Sequence, residues 1–292
     1  ADLNAARELL RKDLKAAAEN LTPRQVRYFC DLFYQFQEFR KGTANQVRAL
    51  TAAGEPNLAL QWAMAKMVGL EKDVQVMLDH WTMTEPTGCG QWCRAVTGLG
   101  PVITAGLLAH IDITQAPTVG HIWRLAGVDP TMKWLGREGA RKLVAEAFAA
   151  TSAKDVTPEV LAYVAQRTNR TAERIVKMAT DPESGVLKRS LLEAGLAKRP
   201  WNASLKVLQF KLASSFVYQA NNPKDIYGKW YVQRKTYELL QNERGAYADQ
   251  ARAKLEQFNI GKDTEAYKWY SQGKLPPAHI HARAMRWTAK LF

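Results

Sequence analysis

The sequence predicts an all-α protein. Apolar residues recur at helical spacing through most of the chain, and no segment alternates apolar and polar residues as a half-buried strand does. Hydroxyl–proline pairs at Thr22-Pro23 and Thr157-Pro158 mark helix starts, and glycines and prolines cut the chain into helix-length pieces.

Taken in order, residues 3–20, rich in Ala, Leu, Lys and Glu, read as a first helix. Thr22-Pro23 opens a second, to about Lys41, with Phe29, Leu32, Phe33, Phe36 and Phe39 in a stripe that belongs to a core. Asn45 to Ala53 is a short helix stopped by Gly54, and Glu55-Pro56-Asn57 opens a long one to about Trp81. On that helix Leu60, Trp62, Met64, Met67, Leu70, Val74 and Leu78 fit one buried face. Long helices joined by short loops predict an N-terminal hairpin or bundle. Gln91–Val96 and Val102–Ile111 are helices joined by the tight turn Thr97-Gly98-Leu99-Gly100-Pro101, and Val119–Ala126 follows, stopped by Gly127 and Pro130. Further helices are read over 137–150, 158–167, 171–179, 200–220, 226–242, 247–258, 264–271 and 278–292. The segments fall at 1–88, 89–135, 136–197 and 198–292, the last expected to pack with 89–135.

The chain has 292 residues, 47% of them apolar and 24% charged, enough for a packed core and unlike a disordered chain. Its three cysteines are too few for a disulfide scaffold, and no apolar run is long enough to cross a membrane. The reading is a cytoplasmic protein that does not enter membranes. The net charge of +13 is uneven. Residues 198–292 hold 17 basic and 7 acidic residues, net +10, whereas the first 197 residues are nearly balanced. Such an asymmetry points to a polyanion, most often nucleic acid; a solvated basic surface is the plain alternative.

The sharpest motif is Val96-Thr97-Gly98-Leu99-Gly100-Pro101-Val102-Ile103-Thr104-Ala105. It resembles a helix–hairpin–helix, with Thr97 where a proline commonly stands. Its glycines permit close approach, Leu99 anchors the turn, and the amides from Gly100 to Ile103 open a helix, where unpaired N–H groups favour a phosphate. An element of this kind grips a DNA backbone without reading sequence; an ordinary glycine corner is the alternative. Base-excision glycosylases that share the hairpin place an aspartate downstream, where this chain has Val119.

A wider resemblance joins Ala116–Thr131, Lys198-Arg199-Pro200-Trp201-Asn202-Ala203-Ser204-Leu205-Lys206-Val207-Leu208 and Gly273-Lys274-Leu275-Pro276-Pro277 with Arg283. Together these are similar to the C-terminal domain of insertion-sequence transposases of the 110/116/902 group and to phage-encoded proteins labelled transposase. The catalytic half of those enzymes, a ribonuclease-H-like domain with metal-binding acids on strands, has no counterpart in the helical residues 1–90. The resemblance therefore implies DNA contact and carries over no catalytic residue. The candidate nucleic-acid contacts are Thr97, Gly98, Leu99, Gly100, Val102, Ile103, Thr104, Lys198, Arg199, Lys206, Lys274 and Arg283.

Residues 158–179 have the length of a helix-turn-helix, with Arg167, Arg170, Arg174 and Lys177 expected on its outer side. Cys89 and Cys93 lack a second ligand pair for zinc, and His279 and His281 point to different helix faces. No cofactor is read, magnesium being implied only for a DNA-processing enzyme. The first reading is a DNA-binding protein of mobile-element or phage type, acting on duplex or branched DNA. RNA is a second partner class, and oligomerisation is compatible with the sequence. A DNA-processing enzyme (transposase, recombinase, nuclease or glycosylase) and a basic protein-interaction module are the alternatives.

Overall fold

The computed structural model describes residues 11–292, and among them fifteen helices and no strand occur. An isolated antiparallel bridge pairs Thr180 with Leu187. The part of the expected first helix before residue 11 lies outside the described residues. The chain divides into two compact units. One holds the described residues up to Asp112 together with Leu208–Phe292, and the other is Ile113–Val207. These units cut the chain at other places than the sequence segments do.

In the first unit, α1 (Arg11–Ala18) precedes two long helices, α2 (Pro23–Ala52) and α3 (Leu58–Thr84). Thr22 caps α2 through a reciprocal capping box with Gln25, and Asn57 caps α3 by accepting from the Leu60 amide. The break expected between Lys41 and Asn45 does not occur. Gly42 costs a helix only about 1 kcal/mol, and side-by-side contacts with α3 carry the helix past it. Arg40 pairs with the buried Glu71 at 2.5 Å, and the Thr43 hydroxyl meets Met67 Sδ.

The expected aromatic and apolar stripes are buried only near the base of this hairpin. Val26, Cys30, Val74 and Leu78 form a core, with Phe29, Phe33, Phe36 and Trp81 packed on it. Phe39 and Trp62 are both 63% exposed and Leu70 is also exposed, because among the described residues no third element covers the outer part of the pair. What fills the base is α5 (Pro101–His110), which follows the short α4 (Cys89–Ala95) and supplies Val102, Ala105 and Ala109 to the same core. Burial pushes the Cys30 and Cys93 thiols up to about 12 and about 11, so both stay protonated at neutral pH and pack as small apolar groups.

The second unit begins with α6 (Val119–Leu125) and continues with α7 (Gly136–Thr151), α8 (Pro158–Thr168), α9 (Ala172–Ala179) and α10 (Arg189–Ala197). Helices α7 to α10 enclose a core of Leu143, Val144, Phe148, Val160, Leu161, Val164, Ile175, Leu192 and Leu196. Helix α10 is absent from the sequence reading. Its Leu192 and Leu196 are a single buried pair one turn apart, too short a periodicity to stand out.

Helix α11 (Ala203–Gln219) runs back into the first unit, followed by α12 (Tyr227–Glu243), α13 (Ala248–Gln257), α14 (Glu265–Ser271) and α15 (Pro277–Leu291). Helix α15 packs on α12 around Tyr231, Ala284 and Met285. Between them Glu238, 1% exposed, accepts from Arg234, Arg283 and Tyr247. Burial alone would raise its pKa, but these three donors hold the carboxyl below the usual range. Asn242 stands in for a strand partner: its amide donates to the Leu275 carbonyl and its oxygen accepts from the Leu275 N–H. At the far end, Phe216 stacks on Tyr227, and Phe292 touches both while stacking on Trp92.

Replacing Glu238 by Gln leaves two half-buried guanidinium groups without a countercharge. Urea denaturation is expected to show a loss of about 3 kcal/mol. Burial also depresses His110, His279 and His281 below the ordinary 6.5, with nearby cations adding to the shift. The unfolded chain then takes up protons first. Stability is expected to fall as pH drops through about 6.5, and to fall again as Glu238 protonates below its ordinary range. Denaturation series between about pH 8 and about pH 2 check both steps.

Candidate nucleic-acid interface

The glycine turn is built as part of the first unit's interior. Leu99 is buried, its N–H donates to the Val96 carbonyl, and its own carbonyl accepts from Arg94, which also pairs with Asp79. Gly98 adopts φ +96°, where a side chain is strained, and a Cβ there would press against Ser215, Phe216 and Gln219 of α11. The Ser215 hydroxyl donates to the Gly98 carbonyl, and the Thr97 hydroxyl donates to the Lys224 carbonyl at 3.3 Å. One side of the turn is therefore occupied by the end of α11 and the loop after it.

The α5 start is mostly buried as well. Val102 and Thr104 are covered, Ile103 is half-buried, and the Thr104 hydroxyl oxygen has no partner. The side chains of Leu99, Val102 and Thr104 therefore cannot reach a ligand from this fold. What the turn offers is backbone: Gly100 sits at the cap of α5 with open space where a Cβ would be, and α5 has no side-chain cap for its first-turn amides.

Two of the expected contacts of the C-terminal region are engaged inside the fold. Lys274 pairs with Glu243 at 2.5 Å, and Arg283 pairs with Glu238 while lying over the Tyr247 ring. The histidines are packed too, His281 against the Tyr231 hydroxyl at 2.6 Å and His279 against Tyr270. Cations that make no ion pair among the described residues remain on this unit, among them Lys224, Lys235 and Arg286.

Lys198, Arg199 and Lys206 are exposed and belong to the second unit. Arg199 lies over Trp134, whose indole N–H donates to the Ala197 carbonyl at 2.8 Å. Lys206 lies over Trp201 at 4.0 Å. The Trp201 ring rests on the backbone of Gly127, where any Cβ would come within 2.6 Å of it, so glycine is required there by close approach and by φ +67° together. Asp129 folds the loop between Gly127 and Trp134. It accepts from the Thr131 amide and hydroxyl, and from Arg124, and these bonds hold its carboxyl below the usual range. The Thr131 hydroxyl in turn accepts from Asn169, which joins α8 to α9 in the left-handed conformation. These bonds fasten three segments side by side in one unit: the loop around Thr131–Trp134, the turn at Asn169–Thr171, and the strap Ala197–Trp201.

Around this assembly the unit carries cations in excess. Residues 113–207 hold 15 basic and 9 acidic side chains. Its ion pairs include Arg124 with Asp129, Lys188 with Asp181 and Arg189 with Glu193. Lys133, Arg137, Arg141, Lys142, Arg167, Arg174, Lys177, Lys198 and Arg199 make no ion pair among the described residues. Arg170, expected on the outer side of the helix pair, is instead 8% exposed. The sequence reading gave this unit little weight because its charge was counted across a boundary that the fold does not respect. Among the described residues no group of three or more His, Cys, Asp or Glu side chains converges as a metal site would need, and no helix is long and apolar enough to cross a membrane. No family model, no curated protein and no solved structure matches the chain.

The two glycines of the turn should respond differently. Gly98→Ala is expected to cost about 1–3 kcal/mol through its left-handed backbone and its contact with α11. Gly100→Ser, at an open cap position, should leave stability within about 0.5 kcal/mol of the original. Paired thermal and urea denaturation of both variants checks this.

Proposed function

We propose that the protein binds nucleic acid through its phosphate backbone, with DNA the first partner and duplex or branched DNA the expected form. The observation that carries the reading is the second unit's exposed cations, two of them set on aromatic rings, at Arg199 over Trp134 and Lys206 over Trp201, while Arg174, Lys177, Lys198 and Arg199 make no ion pair among the described residues. Cations without carboxylate partners retain their full charge for an external polyanion. A ring beneath the side chain restricts its motion, so less freedom is lost on binding. The α8–α9 pair, joined by the short turn at Asn169–Thr171, has helix-turn-helix form, and α9 presents Arg174 and Lys177 to solvent.

The glycine turn belongs to the same reading as a backbone-gripping helix–hairpin–helix. It contributes the Gly100 end of α5 rather than its side chains. The likeness of its sequence to transposase C-terminal domains supports a protein of mobile-element or phage type, with no catalytic residue assigned. Lys274 and Arg283 leave the contact set, since each holds a carboxylate within the fold.

Gel shifts of a labelled duplex at rising salt test the proposal. Binding is expected to weaken steeply with salt and to depend little on sequence, and absence of binding at low salt would refute it. The double variant Lys198→Gln, Arg199→Gln should weaken binding and flatten the logarithmic salt slope by about 2 if each side chain neutralises one phosphate.

A further inference from the structure

Among the described residues, Arg170 is the one arginine that the fold buries without giving it a countercharge. It is 8% exposed, makes no ion pair among the described residues, and donates a weak bond from Nη1 to Met178 Sδ at 3.4 Å. A guanidinium offers five N–H donors and cannot shed its proton in a protein, so a thioether leaves most of its capacity unused. Removing such a charge from water is costly unless an anion accompanies it. Burial disfavours its charged form, and Arg174 adds repulsion.

The surroundings supply what an anion needs. Arg170 directly precedes α9, whose cap residue Thr171 makes no side-chain bond to the first turn. The amides there have no intrahelical acceptor, and the helix dipole favours negative charge at that end. A depression of about 520 Å³ runs along the same helix, walled by Thr171, Glu173, Arg174, Lys177 and Met178. Positions 174, 177 and 178 fall on one face of α9, and Arg170, just before its cap, bonds Met178 on the wall of the depression. Arg174 and Lys177 make no ion pair among the described residues. Glu173 is the single acid on the wall, against two cations there and Arg170 beside it.

We propose that this depression is a phosphate-binding site in which Arg170 is the buried donor, Arg174 and Lys177 are the exposed ones, and the α9 amides complete the cradle. The ligand is a phosphate group, either a phosphodiester of a nucleic-acid backbone or a free phosphate. The site itself stands without the nucleic-acid reading, whereas a backbone source rests on it.

Isothermal titration of the whole chain with inorganic phosphate, against chloride at equal ionic strength, tests the site. Arg170→Met is expected to weaken phosphate binding at least tenfold while melting no lower than the original, since it replaces an uncompensated buried charge by an apolar side chain. Glu173→Gln should tighten binding at least twofold by removing the one repelling group. Arg174→Gln with Lys177→Gln, both exposed, repeats the test without touching the interior and should weaken binding at least fivefold. Phosphate bound no better than chloride, or bound equally by all three variants, would overturn the proposal. Anisotropy with a duplex separates the sources. A parallel fall in duplex affinity for Arg170→Met identifies a backbone phosphate. Unchanged duplex affinity, or no duplex binding even by the original chain, together with lost phosphate binding, identifies a free phosphate; in the second of those cases the nucleic-acid reading fails while the site stands.

Discussion

Helix α5 sets the terms for the first unit. It is apolar on every side: of its ten residues, Pro101, Val102, Thr104, Ala105, Gly106, Leu107 and Ala109 are buried. A helix of this kind has to be covered all round. The base of the α2–α3 pair covers one side, with Cys30 donating weakly to the Val102 carbonyl. Leu208 of α11 covers another, lying so close to Gly106 that a Cβ there would come within 2.7 Å of it. Once α5 is enclosed, the turn that feeds it is fixed as well, and the end of α11 closes over Gly98. The most distinctive stretch of the sequence is thus first a packing device, and only its Gly100 end remains open.

Compensation of charge follows the same division between inside and outside. In the C-terminal part of the first unit, bases that the sequence leaves scattered are gathered around carboxylates, one buried and one exposed. Glu238 takes Arg234 and Arg283, and Glu243 takes Lys274. A strongly positive segment therefore spends several of its cations on its own architecture. In the second unit two acids serve turns, Asp129 and Asp181, each accepting backbone amides. Arg174, Lys177, Lys198 and Arg199 make no ion pair among the described residues. Net charge by segment and available charge by surface are different quantities, and only the second bears on a partner.

The helical class and most helix limits were legible because their causes are local. Thr22-Pro23, Asn57 and Thr157-Pro158 act through a cap or a fixed φ within one turn, and each begins a helix where expected. What stayed hidden depends on neighbours distant in sequence. The continuity of α2 through Gly42 needs Glu71 and Met67 alongside it. The exposure of Trp62 and Phe39 reflects the lack of a third helix among the described residues, which their spacing does not reveal. Of the candidate contacts, the exposure of Lys198, Arg199 and Lys206 agrees with a basic strap, while the burial of Val102 and Thr104 and the pairing of Arg283 arise from tertiary packing. Arg170 was expected outside by its spacing, yet its side chain runs back along α9 to Met178.

The outer part of the α2–α3 pair has a mechanical consequence. From residue 31 to residue 70 no side chain is buried, and a 30-residue helix is about 45 Å long. Each turn away from α5 is held by fewer neighbours, so opening free energy declines steadily toward Gly54 rather than stepping down at one boundary. The arm is therefore a graded spring: it can splay or twist at its tip without loosening the core at its root. Backbone amide exchange would record this as a gradient of protection along both helices.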